Sequence, residues 1–398
     1  MSNSHGQVSR PCPCCGGQRA DAVFDNTMAP IGGLDMSYRV SRCTDCGFLY
    51  ASELPPGERY ARYYGSLSKY DQVATPAAIP EVDRIRVRAV VEMCRPHLSA
   101  QAPVADLGCG VGHLLHGFGE AGWAELHGLD PAPGAPERAR SLFGLDGVRC
   151  GLLADAPALL PLERIRLVCL TGVLEHLWSL REDLAGLIRH LRPGTLILIE
   201  VPALERFAKA PFEPFGEFSL EHIQYFSAAS LTRLFAGLGA DCVESALLEL
   251  PAGTTDSLLG LFRTGGTTTA IGEPVADGAL MADYLHRSSA RWNAALERIA
   301  ATPAPWILYG AGSHSARLLP ALAARGLDAV IAAIADGNAN LHGQTLGRWT
   351  IAPPTILAEH PATPVLVSSF RAQNAIHAAL ASRFPNPLVL PYPAGDTQ

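Results

Sequence analysis

Lysine is almost missing from this chain: Lys69 and Lys209 are the only two among 398 residues. That scarcity leaves Schiff-base chemistry of the pyridoxal phosphate kind little to work with. No run of five or more basic residues is present and the net charge is -7, which argues against an electrostatic grip on nucleic acid. No apolar run reaches the roughly 18 residues that a membrane span needs. The polar stretch Met1 to Arg10 also lacks the apolar region of a signal peptide. The expectation is a cytoplasmic chain with neither membrane nor nucleic acid as partner. In that compartment the ten cysteines stay reduced, so clustered ones read as metal ligands before disulfides. The length exceeds what one hydrophobic core usually holds, and two or three domains are expected.

The most informative stretch runs Val104-Ala105-Asp106-Leu107-Gly108-Cys109-Gly110-Val111-Gly112, with Leu129-Asp130 one strand further on. Pro103 to Ala105 read as a short buried strand. The three glycines let the backbone turn tightly against a ligand, and Leu114 onward has helical spacing. This is the first βαβ turn of a Rossmann-like sheet. A dinucleotide site expects GxGxxG, whereas here the third glycine comes one residue early and His113 holds the last slot. Charge discriminates further: Asp106 would repel a pyrophosphate but suits the sulfonium and ammonium of S-adenosylmethionine (SAM). Asp130 can accept both ribose hydroxyls. The expected cofactor residues are therefore Asp106, Gly108, Gly110, Gly112 and Asp130, with Asp155 as a candidate for the adenine amino group.

Two CxxC knuckles form the second signal: Cys12-Pro13-Cys14-Cys15-Gly16-Gly17 and Cys43-Thr44-Asp45-Cys46-Gly47. Each places two thiolates on one tight turn, and four sulfurs complete a tetrahedral zinc shell. Cys12, Cys15, Cys43 and Cys46 are the expected ligands and Cys14 the spare. Four thiolates leave no open position for water or substrate, so the zinc is expected to be structural. A rubredoxin-like iron is the alternative and has no electron partner in view. The tyrosine-rich segment 60–70 follows and reads as a lid or a packing strap.

Further along, Glu81 to His97 reads as a helix with Val82, Ile85, Ala89 and Met93 on one face, ending before Pro96 disturbs it. Ile165 to Leu170 has the length of a buried strand, and its carboxyl end delivers Glu175-His176, at the edge where open α/β sheets bind ligands. Leu184 to Leu191 and Thr195 to Val201 supply the next helix and strand. Glu221-His222, in the segment 217–227, is a candidate acid/base pair for removing a proton from a methyl acceptor. The bland alternatives are that His222 caps a helix beginning at Ser227 and that His176 caps a helix of its own. Leu280 to Ile299 reads as an amphipathic helix. Trp306 to His314 then repeats strand, glycine turn and helix, followed by strands ending at Asp336 and Ser368. No acidic residue lies in that first strand, so a phosphate at the helix N-terminus is acceptable at Gly310, Gly312 and Ser313.

The CxxC pair, the DxGxGxG loop, Glu221-His222 before Tyr225-Phe226-Ser227, and the C-terminal unit together resemble the sugar C-methyltransferases of deoxysugar biosynthesis. The resemblance spans nearly the whole chain. It implies a class I SAM-methyltransferase Rossmann-like domain of α/β class, preceded by a small zinc-binding module and followed by a second, smaller Rossmann-like domain. The corresponding boundaries are 1–75 (zinc module and tyrosine-rich lid), 76–270 (SAM-binding domain) and 271–398 (linker helix and substrate-binding domain). It further implies methylation of a carbon beside a keto group on a nucleotide-linked sugar. Glu221, His222 and His176 then fall on catalytic positions, Tyr64 on a lid tyrosine, and Gly310, Gly312 and Ser313 on the substrate diphosphate. Where the family writes Tyr-His before the Glu-His pair, this chain has Ser219-Leu220. That departure keeps other acceptors open: another carbon, a hydroxyl or a nitrogen, or a non-sugar metabolite. A zinc-bearing ribosomal RNA methyltransferase would show basic and aromatic clusters that are missing here. A non-catalytic nucleotide-sugar or SAM sensor is the non-enzymatic reading.

Overall fold

Short strands with bulky or β-branched residues dominate the start of the chain, and they pair antiparallel. In the computed structural model, which describes residues 7–59, 79–209, 211–219, 221–270 and 272–393, these are β1 (Val8–Ser9), β2 (Ala20–Asn26), β3 (Tyr38–Cys43) and β4 (Leu49–Leu54), in the spatial order β1-β4-β3-β2. β1 covers only the Glu53–Leu54 end of the β4 edge.

The unbroken apolar stretches of the middle of the chain lie in a parallel sheet covered on both faces, which is why they show no alternation. They are β5 (Val104–Leu107), β6 (Leu126–Asp130), β7 (Val148–Cys150), β8 (Leu167–Thr171) and β9 (Leu196–Pro202). Next, β10 (Gln224–Tyr225) returns to the first sheet and pairs with Leu49 and Tyr50, filling the rest of the β4 edge. An antiparallel pair, β11 (Ala240–Leu248) and β12 (Ser257–Thr264), then completes a seven-stranded sheet in the order β11-β12-β9-β8-β5-β6-β7. Strand order reverses at β5, which has β6 on one side and β8 on the other, so the ligand crevice of such a sheet lies at the carboxyl ends of β5 and β8.

Helix Glu81–Cys94 gives way to a 3-10 turn over Arg95–His97, where Pro96 cannot continue the α-helical bonding. The helix expected from Leu184 starts instead at Leu180 and ends at Ile188, because Glu182 and Asp183 suit the positive N-terminal end of the helix dipole. The long helix Asp277–Ala300 leads to a third sheet of β13 (Trp306–Tyr309), β14 (Ile331–Ala335), β15 (Thr345–Leu346), β16 (Trp349–Ala352), β17 (Val365–Val367) and β18 (Leu388–Val389). Its order is β15-β16-β14-β13-β17-β18, parallel except for β15. Among the described residues no helix is long and apolar enough to cross a membrane.

The small first sheet does not have a core to itself. Met36, Tyr38 and Val40 share one apolar cluster with Phe218, Tyr284, Trp306 and Leu319. Cys12, Phe48 and Tyr50 share another with Leu107, Leu170 and Phe226.

Candidate functional site

At the end of β5 the chain turns through Gly108 (φ 85°), Gly110 (φ 53°) and Gly112 (φ 92°), all in the left-handed region that favours glycine. A Cβ on Gly108 would stand 2.5 Å from Val173 Cγ2, so this turn lies directly against the loop that follows β8. Asp106 is 1% exposed, and its Oδ1 has no hydrogen-bond partner among the described residues. Burial first, and the nearby Asp130 charge second, push its carboxyl up to about 7. Asp130 Oδ2 accepts from the Gly110 N–H at 2.7 Å and Oδ1 from the Ala132 N–H at 2.9 Å. Each carboxylate oxygen keeps a second lone pair for a ribose hydroxyl. An orphaned buried carboxylate oxygen, a turn built on three glycines and a second acid at the next strand end together fit a cationic nucleoside such as SAM. Asp155 is different: it is exposed, and its Oδ2 accepts from the Leu152 N–H at the start of its own turn.

The loop after β8 delivers Glu175 and His176. Glu175 is 4% exposed with Oε2 unpartnered. Its carboxyl is pushed up to about 7, by burial first; His176 opposes the rise and Glu200 adds to it. Glu200, buried within β9, is met by Arg86 at 3.2 Å and by the Ser257 hydroxyl. His176 Nδ1 lies 3.0 Å from the Glu221 carbonyl oxygen. A carbonyl only accepts, so Nδ1 carries a proton. Nε2 stands 3.8 Å from Glu175 Oε1. The His176 and His222 rings meet edge to face with centroids 5.0 Å apart, and the Glu175, His176 and His222 donor atoms lie within 4.8 Å of one another.

Glu221 and His222 are held by a loop that all three sheets grip. Phe215 takes a left-handed backbone (φ 57°), strained for an aromatic residue. Asn26 Nδ2, from the first sheet, donates to the Phe218 carbonyl at 3.2 Å, and Arg317 of helix Ser313–Ala323 donates to the same oxygen. The Tyr38 hydroxyl donates to the Ser219 carbonyl at 2.8 Å. Ser219 Oγ accepts from the Glu221 and His222 amides at 3.2 and 3.0 Å, so Ser219 fixes the turn. His222 does not cap the helix Ala228–Ala236. Ser227 does, accepting from the Ser230 N–H while its own hydroxyl donates to Asp277. Tyr64 lies outside the described residues.

Cys12, Cys15, Cys43 and Cys46 converge. Cys12 and Cys46 sulfurs are 3.7 Å apart, Cys15 and Cys43 sulfurs 3.6 Å. Tetrahedral thiolates at about 2.3 Å from zinc stand about 3.8 Å from one another, so the four fit that ion. Hydrogen bonds from the neighbouring thiols, Cys12 first, pull the Cys46 thiol far down toward thiolate. Cys14 is buried beside them, outside the set.

In the third sheet Gly310 has φ 107°, and a Cβ there would stand 2.8 Å from the Ser368 carbonyl oxygen. Gly312 is exposed and in an extended conformation, and Ser313 opens the helix. Asp336 Oδ2 accepts from the Ala311 N–H at 2.7 Å and Oδ1 from the Asn338 N–H at 2.7 Å, the same use of a strand-end acid as at Asp130. The sequence reading noticed that β13 lacks an acid but not that β14 supplies one to the turn. It also passed over Glu200, Arg86 and Arg10, whose partners are distant in sequence.

Residues 83–245 match the family model described as a methyltransferase domain. A curated protein of Mycolicibacterium smegmatis, described as a probable S-adenosylmethionine-dependent methyltransferase, is 29% identical over 154 residues, covering 39% of this chain and 58% of its own length. The chain thus spans little more than half the length of the curated relative it matches. Among solved structures, the 1,6-didemethyltoxoflavin-N1-methyltransferase of Burkholderia thailandensis, with 1,6-didemethyltoxoflavin and S-adenosylhomocysteine bound, is 20% identical. It covers 55% of this chain and 96% of its own, with a TM-score of 0.41. The magnesium protoporphyrin IX methyltransferase of Synechocystis with bound SAM is 15% identical, covering 52% and 96%, with a TM-score of 0.37.

Proposed function

Because residues 83–245 are a class I SAM-dependent methyltransferase domain, we propose that the protein methylates a small molecule, specifically a carbon beside a keto group of a nucleotide-linked sugar. The observation that carries this reading is the pairing of the orphaned, buried Asp106 at the β5 turn with the Glu221–His222 and His176 cluster beside it.

In this reading Asp106 and Asp130 hold the cofactor around Gly108, Gly110 and Gly112, and Asp155, exposed at the rim, is the candidate for the adenine. The bound cofactor would supply an activated methyl carbon. The protein's own tasks are orientation and proton removal. A C–H bond is acidic only beside a carbonyl, so Glu221 or His222 takes that proton, and the resulting enolate carbon is the nucleophile. A neighbouring donor, His176 or Tyr64, stabilises the enolate oxygen. The four cysteines hold a structural zinc away from the chemistry. Gly310, Gly312 and Ser313 receive the sugar's diphosphate through the N-terminus of helix Ser313–Ala323. The division into units 1–75, 76–270 and 271–398 belongs to the same proposal.

The test is incubation with methyl-labelled SAM and a panel of nucleotide-linked keto and hydroxy sugars in heavy water, followed by mass spectrometry. The expected result is a labelled methyl on carbon, with deuterium exchange beside the carbonyl when SAM is omitted. Label on oxygen or nitrogen, or on none of the sugars, overturns the carbon assignment. Glu221→Ala and His222→Ala should each abolish turnover while SAM affinity stays within about twofold; unchanged turnover in both would remove the pair from the reaction, and a wild-type protein that binds SAM but turns nothing over would be a sensor.

A further inference from the structure

Two loops carry the imidazoles, and one side chain from neither loop joins them. Arg10 Nη1 donates to the Trp178 carbonyl at 2.7 Å, two residues after His176. Its Nη2 donates to the Ile223 carbonyl at 3.0 Å, one residue after His222, and to Gln224 Oε1 at 2.6 Å. Its Nε donates to the Ala51 carbonyl at 2.8 Å. The guanidinium lies over the Tyr50 and Trp178 rings, 5.7 and 5.8 Å from their centroids. Gln224, fully buried, returns a second link by donating to the Leu177 carbonyl.

We infer that Arg10 is a positioning residue that sets the distance and angle between His176 and His222. A guanidinium is a planar fork whose donors have fixed directions. Two carbonyls from separate loops engaged on that fork cannot drift apart without breaking a charge-assisted bond. Arg10 is itself held in place, since its N–H donates to the Ser52 carbonyl and Cys12 follows two residues later. The Cys12–Cys46 cluster therefore anchors the fork, and the fork anchors the imidazoles. A lysine at this position keeps the charge but offers a single point, so it cannot hold both carbonyls at a set separation.

The inference rests on Glu221–His222 as the proton-removing pair with His176 beside it, and its test separates the two claims. Full-length Arg10→Gln and Arg10→Lys are made with 15N-labelled histidine. The imidazole nitrogen resonances of His176 and His222 are assigned by comparison with His176→Asn and His222→Asn. Both Arg10 variants should shift those resonances, lower kcat by about a hundredfold, the scale of a 1 Å misplacement, and leave KM for SAM and zinc content unchanged. If Arg10→Gln fails to fold, Arg10→Lys carries the test alone. Resonances that stay at their wild-type positions in a folded variant overturn the positioning role, whatever happens to turnover. Resonances that move in a protein that methylates nothing uphold it while removing the proposed reaction.

Discussion

Asp106 concentrates the electrostatics of the site in one carboxyl. Burial and Asp130 push it up to about 7, and a cation bound beside it favours the charged form. SAM affinity should therefore rise as pH increases from about 6 to about 8, with proton release on binding. Calorimetric titration in two buffers of different ionisation enthalpy measures that release. A flat profile in the wild type would remove Asp106 from the cofactor site, and Asp106→Asn should flatten it. The free protein has the opposite sign: the folded state holds this proton more tightly than the unfolded state, so the contribution is lost as pH rises from the ordinary value of 3.8 toward about 7. Glu200 poses a different problem, because it is buried as an ion partner of Arg86. Arg86→Ala should cost about 2 kcal/mol in a denaturant titration, since the carboxylate stays behind without its charge partner. Asp106 and Asp130 were legible in the sequence because strand, turn and acid are contiguous. Arg10, Glu200 and Arg86 were not, because each becomes meaningful only through a partner that the fold brings from elsewhere.

At the scale of elements, the glycine turn after β5 makes a sharp demand. Gly108→Ala places a Cβ 2.5 Å from Val173 Cγ2 at a φ of 85°. Left-handed backbone alone costs an ordinary residue about 1–2 kcal/mol. The variant should lose SAM binding in equilibrium dialysis and melt several degrees lower; wild-type affinity would show that the turn does not form the cofactor bed. The two cysteine knuckles make a second demand, and the sulfur spacing separates ligand from bystander. Cys43→Ser should lose the metal measured by mass spectrometry and lower the melting temperature, whereas Cys14→Ser should keep one zinc per chain. Retention in both, or loss in both, would contradict the four-cysteine set. The parallel strands were readable as apolar stretches closed by turns, and β17 falls on Val365–Val367 as the sequence suggests. The two-residue β10 was not, since nothing in Gln224-Tyr225 announces a partner in Leu49 and Tyr50. The helix that begins at Glu81 ends before Pro96 as the sequence suggests, whereas the one expected from Leu184 starts ahead of it, where the acids of its first turn outweighed the apolar spacing.

At the scale of the molecule, apolar clusters ignore the borders that the sequence suggests. Tyr38 from the first sheet, Phe218 and Tyr225 from the gripping loop, Tyr284 from the long helix and Trp306 from the third sheet form one cluster. Residues 76–270 produced without the first 75 should therefore expose Phe218, Tyr225 and Phe226. Such a fragment should bind a hydrophobic dye and lose near-ultraviolet circular dichroism; a native-like spectrum would show that the central sheet stands alone. Motifs suggest borders in the sequence, but the shared cores were not legible, because packing between distant segments leaves no local pattern. The β4 edge carries this interdependence into the time during which the chain is made. Tyr50 and Leu49 leave the ribosome long before Gln224 and Tyr225, their partners in the finished sheet. Throughout that interval a nascent chain offers bare backbone donors and acceptors to any neighbouring strand.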